Sequence, residues 1–224
     1  MLKIDILTLF PNMFFGPLSE SIVKRAQKKK LVEIDIHNLR EWTKDRHKTV
    51  DDRPYGGGTG MVLMVEPIDR ALKDLRHGRT KIILLTPQGK VFQQKMAQRL
   101  AKEKHLIFIC GHYEGVDERI RQHLVDEEIS IGDYVLTGGE IPVMVVTDAI
   151  VRLIPGVLEK PEATKNESFS PLLEHPQYTR PAEYRGWRVP KVLLSGNHQQ
   201  IKQWQEKEAR KRTKTRRPDL LITT

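Results

Sequence analysis

The sequence predicts an α/β fold, a mostly parallel β-sheet with helices on both faces. Short apolar runs, which are typical of buried strands, alternate with amphipathic runs of helical period. Turns that contain glycine or proline separate these runs. Because strand, turn and helix follow one another along most of the chain, we expect the strands to run parallel with helical crossovers between them.

The first elements follow this pattern. Residues 3–10 predict a strand buried on both faces, residues 17–30 an amphipathic helix, and residues 31–37 a second strand. Residues 38–61 are polar and include the run Tyr55-Gly56-Gly57-Gly58-Thr59-Gly60. A loop so rich in glycine can approach a ligand or close over one, and a flexible linker is the alternative interpretation.

Further strands and helices alternate after this loop. They are a helix over residues 65–76, a strand over 81–86, a helix over 92–103, a strand over 105–110 and a helix over 116–124. Residues 128–142 then predict a strand, a loop and the start of a helix with Pro142 in its first turn. Gly138 and Gly139 in this loop permit positive φ and let the backbone pass close to a bulky group. The apolar run that follows is too short to cross a bilayer, so it predicts a buried helix.

Composition restricts the class of protein. The chain of 224 residues has a formal net charge of +9 and a single cysteine, Cys110. A single cysteine excludes an internal disulfide, and the first residues show no signal-like segment, so we expect a cytoplasmic protein without membrane association. The positive charge favours a polyanionic partner, most simply nucleic acid.

The composition changes after residue 158. Residues 1–158 predict the α/β domain, residues 159–171 a mobile linker, and residues 172–224 a small basic helical domain. Asn197 is predicted to cap a helix in this last part. The tail from Lys202 to Arg217 has eight basic and two acidic residues. A solvated helix face usually explains such a run, but the net charge and nearby tryptophans favour phosphate contacts here.

Three loops directly follow predicted strands, at residues 86–89, 110–115 and 131–139. Ligands of parallel sheets bind at the carboxyl ends of the strands, so these loops are expected to converge on one site. Each loop alone is better explained as an ordinary strand-to-helix turn, whereas three such loops in succession favour a ligand site and ordinary turns about equally. None matches the Gly-x-Gly-x-x-Gly or Walker pattern, which argues against a standard dinucleotide or nucleoside-triphosphate site.

Other candidate sites are weaker. The eight histidines show no close ligand spacing, which argues against a structural zinc site. Cys110 ends an apolar strand, where cysteines are usually inert. Asp148 and Arg152 lie four residues apart on one face of the predicted apolar helix. They form either a structural ion pair or an arginine held ready for a negatively charged group.

Several motifs together resemble the bacterial tRNA (guanine-N1)-methyltransferases, a family with a knotted, SPOUT-like fold. The two longest are Cys110-Gly111-His112-Tyr113-Glu114-Gly115-Val116-Asp117-Glu118-Arg119 and Ser130-Ile131-Gly132-Asp133-Tyr134-Val135-Leu136-Thr137-Gly138-Gly139-Glu140. The others are Arg53-Pro54-Tyr55-Gly56-Gly57-Gly58, Ile154-Pro155-Gly156-Val157-Leu158, Tyr178-Thr179-Arg180-Pro181 and Leu194-Ser195-Gly196-Asn197-His198. They follow one another in the family's order along essentially the whole chain.

The resemblance implies a deep trefoil knot in the α/β domain, which is an exception to the rule against knots. It also implies a homodimer with the active site at the subunit interface and S-adenosylmethionine, the methyl donor, bound in the knot. The implied partner is tRNA, and the implied product is 1-methylguanosine at position 37, 3′ of the anticodon, where it helps to prevent frameshifting. Members of the family depend on Mg²⁺, for which the sequence assigns no metal ligands.

The resemblance also implies roles for individual residues. The donor-binding residues are Thr86, Pro87, Gln88, Gly89, Gly111, Tyr113, Glu114, Ile131, Gly132, Asp133, Tyr134, Val135, Leu136, Gly138 and Gly139. The tRNA-binding residues are Tyr55, Gly56, Gly57, Gly58, Arg180, Ser195, Arg210, Lys211 and Arg212. Arg152 matches the catalytic arginine, and Glu167 falls at the position of the general base. These roles suit the chemistry, because guanine N1 must lose a proton and O6 then gains negative charge.

The chain departs from the family pattern at a few positions. Glu167 replaces the usual aspartate and is one methylene longer, His112 stands where arginine is common, and Thr59 stands where proline is common. None of these changes removes a required chemical group. Two other functions stay open. One is ribose 2′-O-methylation by a related knotted fold, against which the glycine loop and the basic tail argue. The other is a basic RNA-binding module without catalysis.

Overall fold

The computed structural model describes residues 1–160, 164 and 167–222. The chain forms two compact units, Met1–Glu159 and Lys160–Thr224. Residues 161–163 and 165–166 of the predicted mobile linker lie outside the described residues. No helix in the described part of the chain is both long and apolar enough to span a membrane.

The first unit is built on a five-stranded parallel sheet. The strands of this unit are β1 (Leu2–Thr8), β2 (Val32–Asn38), β3 (Asp51–Asp52), β4 (Val62–Leu63), β5 (Lys81–Val91), β6 (His105–Cys110) and β7 (Glu127–Ser130). Its α-helices are α1 (Ser21–Lys28), α2 (Val65–Leu75), α3 (Gln94–Leu100), α4 (Glu118–His123) and α5 (Glu140–Val151). The sheet order is β2-β1-β6-β5-β7, and every neighbouring pair is parallel. The predicted parallel α/β fold is therefore confirmed.

Strand side chains alternate between two hydrophobic cores, one on each face of the sheet. On β6, Leu106 and Phe108 contribute to the core that α1, α3 and α5 cover. The residues between them, Ile107 and Ile109, contribute to the core that α2 and α4 cover. Because side chains alternate along a strand, the run from Leu106 to Cys110 has to be apolar at every position to fill both cores. Helices thus cover both faces as predicted, and the trefoil knot stays a prediction.

Strand β5 is longer than the sequence predicts. It was expected to end at Thr86 but continues to Val91. Its pairing with β7 shifts register between Leu85 and Lys90, so residues 86–89 bulge within the strand instead of forming a terminal turn. A Cβ on Gly89 would lie only 2.5 Å from the backbone nitrogen of Ile129. Glycine is therefore needed where β5 and β7 approach closely.

The glycine-rich segment is more ordered than its polar composition suggests. A 3₁₀ helix spans Leu39–Trp42, and β3 pairs with β4 in an antiparallel ladder that flanks the glycines. This pair is only two residues long in each strand, which is too short for a periodic sequence signal.

A buried carboxylate links three strands of the sheet. The two side-chain oxygens of Asp5, a fully buried residue of β1, each lie 2.6 Å from a histidine Nε2, His37 on β2 and His105 on β6. Burial alone would raise the pKa of Asp5, but hydrogen bonds with His37 and His105 hold this pKa below its ordinary value. Because the pKa is lower in the folded state, Asp5 stabilises the fold at neutral pH. This stabilisation is lost as the pH falls through the folded pKa.

The second unit is small and basic. Its regular elements are β8 (Glu183–Tyr184), β9 (Trp187–Arg188), α6 (Lys191–Leu194) and α7 (His198–Arg216). Asn197 caps α7 as predicted, since its side-chain oxygen accepts a hydrogen bond from the Gln200 N–H at 3.1 Å. Residues 160–224 contain fourteen Lys and Arg against seven Asp and Glu, so this unit contributes +7 of the formal net charge of +9.

Candidate functional site

Three segments of the first unit converge on one pocket of about 290 Å³. They follow β6 and β7 or bulge from β5, which lies between these two strands in the sheet, so they meet at the carboxyl ends of the parallel strands, as expected. The volume is at the lower end of the range for small-molecule pockets, about 300–1,000 Å³. The predicted donor residues that line it are Thr86, Pro87, Gln88, Gly111, Tyr113, Glu114, Ile131, Gly132, Tyr134, Val135, Leu136 and Gly138.

Three predicted donor residues do not line this pocket. Gly89 packs against β7 in the bulge, and Asp133 is exposed at the tip of its loop. Gly139 lies behind the pocket, where its N–H donates to the carbonyl of Gly111 at 2.8 Å. The sequence also missed two lining residues with nitrogen-containing side chains, His112 and Arg121. The resemblance pointed to His112 only as a departure from the family pattern, and nothing in the sequence pattern pointed to Arg121.

The paired glycines are needed for close packing rather than for unusual dihedral angles. Gly139 has a φ of −80°, and Gly138 is not among the glycines with positive φ, so neither residue uses the positive φ that glycine permits. Their other predicted role is confirmed. A Cβ on Gly139 would lie 2.7 Å from the Cα of Cys110, and a Cβ on Gly138 would lie 2.4 Å from the Nδ1 of His112. No larger residue fits where α5 begins against the end of β6.

We expect Gly139→Ala to deform the pocket and to lower the free energy of unfolding by about 3 kcal/mol, because the added methyl group meets rigid backbone. Gly111→Ala is the matched control, since its Cβ would lie 3.4 Å from its nearest atom, the carbonyl oxygen of Leu85. This variant should have the same free energy of unfolding as the wild type and should lose only its affinity for the donor. Urea unfolding and calorimetry measure the two effects. A Gly139→Ala protein of unchanged stability would contradict this explanation.

A loop that hydrogen-bonds to itself forms the outer wall of the pocket. The hydroxyl of Ser130 donates to the carbonyl of Gly132 at 3.0 Å and accepts from the N–H of Gly132 at 3.2 Å. Gly132 has a φ of +148°, and a Cβ there would lie 2.6 Å from the ring of Tyr134. The backbone of this loop is therefore fixed by local contacts before a ligand binds.

A buried carboxylate stands behind the pocket. Glu140, the first residue of α5, is only 1% exposed, and its Oε1 accepts a hydrogen bond from the Thr8 hydroxyl at 2.7 Å. Its Oε2 lies 3.8 Å from His112 Nδ1, a buried atom with no hydrogen-bond partner among the described residues. Burial, and secondarily the charge of Glu140, raise the pKa of Cys110 well above its ordinary value. The thiol therefore stays neutral, in agreement with the prediction that it is inert.

The glycine-rich loop lies beside the pocket. The N–H of Glu114 donates to the carbonyl of Met61 at 3.0 Å, and a Cβ on Gly60 would lie 2.6 Å from the side-chain oxygen of Glu114. Gly56, Gly57 and Gly58 all have positive φ. Tyr55 is fully exposed at the start of this run. The structure thus places the predicted base-binding loop at the rim of the predicted donor pocket.

The two predicted catalytic residues lie outside the pocket lining. Arg152 caps the carboxyl end of α5, where its N–H donates to the carbonyl of Asp148 at 3.2 Å. The pocket includes Pro142, near the amino end of this helix. Ten helical residues separate Pro142 from Arg152, a rise of about 15 Å along the axis. Glu167 belongs to the second unit, where its carbonyl accepts from the N–H of Ser170 at 3.2 Å.

A profile of the family described as tRNA (Guanine-1)-methyltransferase TrmD matches residues 2–223. The chain belongs to this family. Proteins of three bacteria named tRNA (guanine-N(1)-)-methyltransferase are similar over nearly their whole length. The one from Dictyoglomus turgidum is 57% identical over 225 residues, which is 100% of this chain and 91% of the relative. Those from Anoxybacillus flavithermus and Bacillus pumilus are 60% and 59% identical, covering 99% and 98% of this chain and 92% of each relative.

Family membership, which was predicted from the motifs, is thereby confirmed. The remaining residues that were predicted to bind tRNA lie in the second unit. Arg180, Arg210 and Lys211 are exposed there. Arg212 is half-buried, and its guanidinium lies 3.5 Å from the carbonyl of Glu174. The hydroxyl of Ser195 donates to the carbonyl of Val192 at 2.7 Å and accepts from the N–H of Asn197, so it shapes the entry to α7.

A second groove of about 930 Å³ runs along the edge of β5 and β7. It is larger than the pocket, and four of its charged residues are paired with each other. Arg99 contacts Glu127 at 2.6 Å, and Arg121 contacts Glu128 at 2.5 Å. The motifs that were predicted to bind the donor line the smaller pocket, which is therefore the candidate active site.

Proposed function

We propose that this protein transfers the methyl group of S-adenosylmethionine to N1 of the guanosine at tRNA position 37, giving 1-methylguanosine. In the cytoplasm, where tRNA decodes, this nucleoside 3′ of the anticodon would help to maintain the reading frame. The observation that carries the proposal is the pocket built by all three strand-associated segments in a chain that matches the methyltransferase family from residue 2 to residue 223.

The pocket suits the proposed donor. Its lining includes residues 131–132 and 134–138 of the loop after β7, together with small and apolar residues of the other two segments, which suits an adenosine held through main-chain hydrogen bonds. The donor supplies an electrophilic methyl group on a positively charged sulfur. Glu114 on the rim and Glu140 behind the pocket place carboxylates near this charge. They would favour the donor over its neutral product.

The acceptor chemistry needs two further groups. Guanine N1 has a proton, so a base has to remove it as the N1–methyl bond forms and the methyl–sulfur bond breaks. We assign the removal of this proton to the carboxylate of Glu167. We assign the stabilisation of the negative charge that develops on O6 to the guanidinium of Arg152, a fixed cation at the end of α5. The glycine-rich loop with Tyr55 would then hold the target base at the rim of the pocket, and the basic second unit would bind the tRNA backbone.

We further propose a homodimer in which each active site draws on both subunits. Helix α5 was predicted to be buried, yet only one face is. Ile141 and Val145 are 46% and 44% exposed on the other face, which continues through Asp148 to Arg152. Exposed apolar residues on a helix are typical of an interface. If two copies of α5 pair antiparallel across a two-fold axis, the carboxyl end of each helix lies near the amino end of the other. Arg152 then approaches the pocket of the partner.

The dimer is tested by Ile141→Glu combined with Val145→Glu. We expect this variant to sediment as a monomer and to lose methyl transfer by at least about 100-fold, because an unpaired charge would be buried at the interface. Asp148→Ala on the same face is the matched control and should stay dimeric. A wild-type protein that sediments as an active monomer would contradict the proposal.

Mg²⁺ dependence stays a proposal without an assigned protein site. Among the described residues, Asp5, Asp35 and His37 are the only group of three with metal-ligand spacing. This group does not suit Mg²⁺, because Lys3 Nζ already lies 3.8 Å from Asp5 and 3.5 Å from Asp35. Mg²⁺ prefers oxygen ligands and commonly binds substrate phosphates, so an ion held partly by tRNA fits better.

Calorimetry with S-adenosylmethionine tests the proposed function against the alternatives. We expect stoichiometric binding that Gly111→Ala weakens. A basic RNA-binding module would show no donor binding while still retaining tRNA. Ribose methylation would be revealed by nucleoside chromatography of the product, because a 2′-O-methyl nucleoside and 1-methylguanosine elute separately. Either of these outcomes would replace the proposed reaction.

A further inference from the structure

The β8–β9 hairpin presents an aromatic surface that none of the predicted sites uses. Tyr184 and Trp187 lie directly opposite each other on the two strands. Arg185 and Gly186 connect them with φ values of +51° and +81°. Two successive positive φ values are the signature of a type I′ turn, which matches the natural twist of a hairpin. Opposite residues share a face, so this turn sets both rings side by side.

Both rings are exposed to solvent. Trp187 is 72% exposed and Tyr184 is 53% exposed, and their ring centroids are 6.0 Å apart. Burying an aromatic ring of this size stabilises a protein considerably, so a solvent-facing pair next to a turn is typical of a binding surface.

One cationic side chain contacts the aromatic pair, and another lies in the adjoining groove. The guanidinium of Arg185 lies 5.2 Å from the centroid of the Tyr184 ring. The face continues past Ala182 and Val189, whose backbones pair at 2.9 Å, into a groove of about 250 Å³ that Arg180 also lines. The surface is thus aromatic in its centre and positive at its rim, within a unit that has a formal charge of +7.

We propose that Trp187 and Tyr184 form a stacking platform for an unpaired nucleotide of the tRNA anticodon loop. This inference rests on the proposed function, which supplies the RNA. Aromatic side chains stack only on bases that are free of a duplex, and the arginines at the rim pair with the flanking phosphates. The charge of the unit favours RNA over an apolar protein partner. The platform would hold the loop open so that a neighbouring base can enter the active site.

The test measures the affinity of full-length variants for a fluorescein-labelled tRNA transcript by anisotropy. Trp187→Ala should raise the Kd by about 10- to 100-fold, the typical effect of losing one stacked base. Trp187→Phe should stay within about threefold of wild type because it keeps a ring. Trp187→Leu, apolar without a ring, should behave like the alanine variant. If leucine restores affinity, the contact is not stacking and the proposal is overturned.

Salt dependence and substrate changes locate the contact. Trp187→Ala should leave the slope of log Kd against log salt unchanged, whereas Arg210→Gln with Lys211→Gln should reduce it by about 1–2. An abasic nucleotide at one position of the anticodon loop should make wild type and Trp187→Ala bind alike. If no position does so, the platform does not stack on this loop.

The remaining outcomes separate this proposal from the proposed function. Unchanged tRNA affinity in Trp187→Ala, with methylation intact, overturns the platform alone. Wild-type protein that binds tRNA through Trp187 without methylating it overturns the reaction alone. If Trp187→Ala changes the sedimentation coefficient while tRNA affinity is unchanged, a second copy of the chain covers this face, and the RNA platform is overturned.

Discussion

Glu167→Gln is expected to lower the single-turnover rate of methyl transfer by about 10²- to 10⁴-fold, the range for a lost general base. The amide keeps the size and hydrogen-bonding reach of the carboxylate but cannot take the N1 proton. Affinities for donor and tRNA should therefore change little. Rapid-quench assays with labelled donor and saturating enzyme measure the chemical step apart from product release.

Two control variants make this prediction specific. Glu167→Asp restores the usual residue of the family and should keep the rate within about tenfold of wild type, since it retains a carboxylate. Glu174→Gln changes another carboxylate of the same unit, one that accepts a hydrogen bond from Gln177 at 2.6 Å, and should leave the rate unchanged. A near-normal rate in Glu167→Gln would exclude this residue as the base.

Arg152→Ala is expected to lower the same rate by about 10²- to 10³-fold, because the charge on O6 would develop without its fixed cation. Arg152→Lys should recover only part of the loss, since an ammonium cannot donate in the planar geometry of a guanidinium. Thermal unfolding should differ little among these variants. Equal rates for wild type and Arg152→Ala would remove the arginine from the mechanism.

Mixed dimers reveal which pocket Arg152 serves. One subunit has Gly139→Ala and so lacks a working pocket, while the other has Arg152→Ala. If the arginine acts on the partner's pocket, the mixed dimer contains one complete site and regains up to half of the wild-type rate. If Arg152 acts within its own subunit, both sites stay defective and the mixture is inactive. An inactive mixture would refute the proposal that the antiparallel contact of α5 brings Arg152 to the partner's pocket.

The sequence predicted the fold well where burial dictates residue type. Strand β6 fills two cores and is apolar from Leu106 to Cys110, and α2 presents Ile68, Ala71 and Leu72 to one core at helical spacing. Both were predicted almost to their ends. The bulge at residues 86–89 was not, because it depends on the contact of Gly89 with β7, a strand about forty residues further along the chain.

The site was predictable mainly through motifs. Periodicity placed three loops at the sheet edge, but only the resemblance separated a donor pocket from ordinary turns. Neither periodicity nor the resemblance predicted the contacts between segments that are far apart in the chain. Thr8 and Glu140 are 132 residues apart, and their buried hydrogen bond has no local signature. The same is true of the pairing of Asp5 with His105 across 100 residues.

The central claim is that the protein methylates N1 of guanosine 37. The most direct measurement is mass-spectrometric mapping of the methyl group on tRNA transcripts that differ only beside the anticodon. With guanosine at position 37, the account predicts 1-methylguanosine at that position and at no other. A transcript with adenosine there lacks the N1 proton and O6, so it should accept no methyl group. Methylation that persists in the adenosine transcript, or that maps to a ribose 2′-oxygen, would contradict the account.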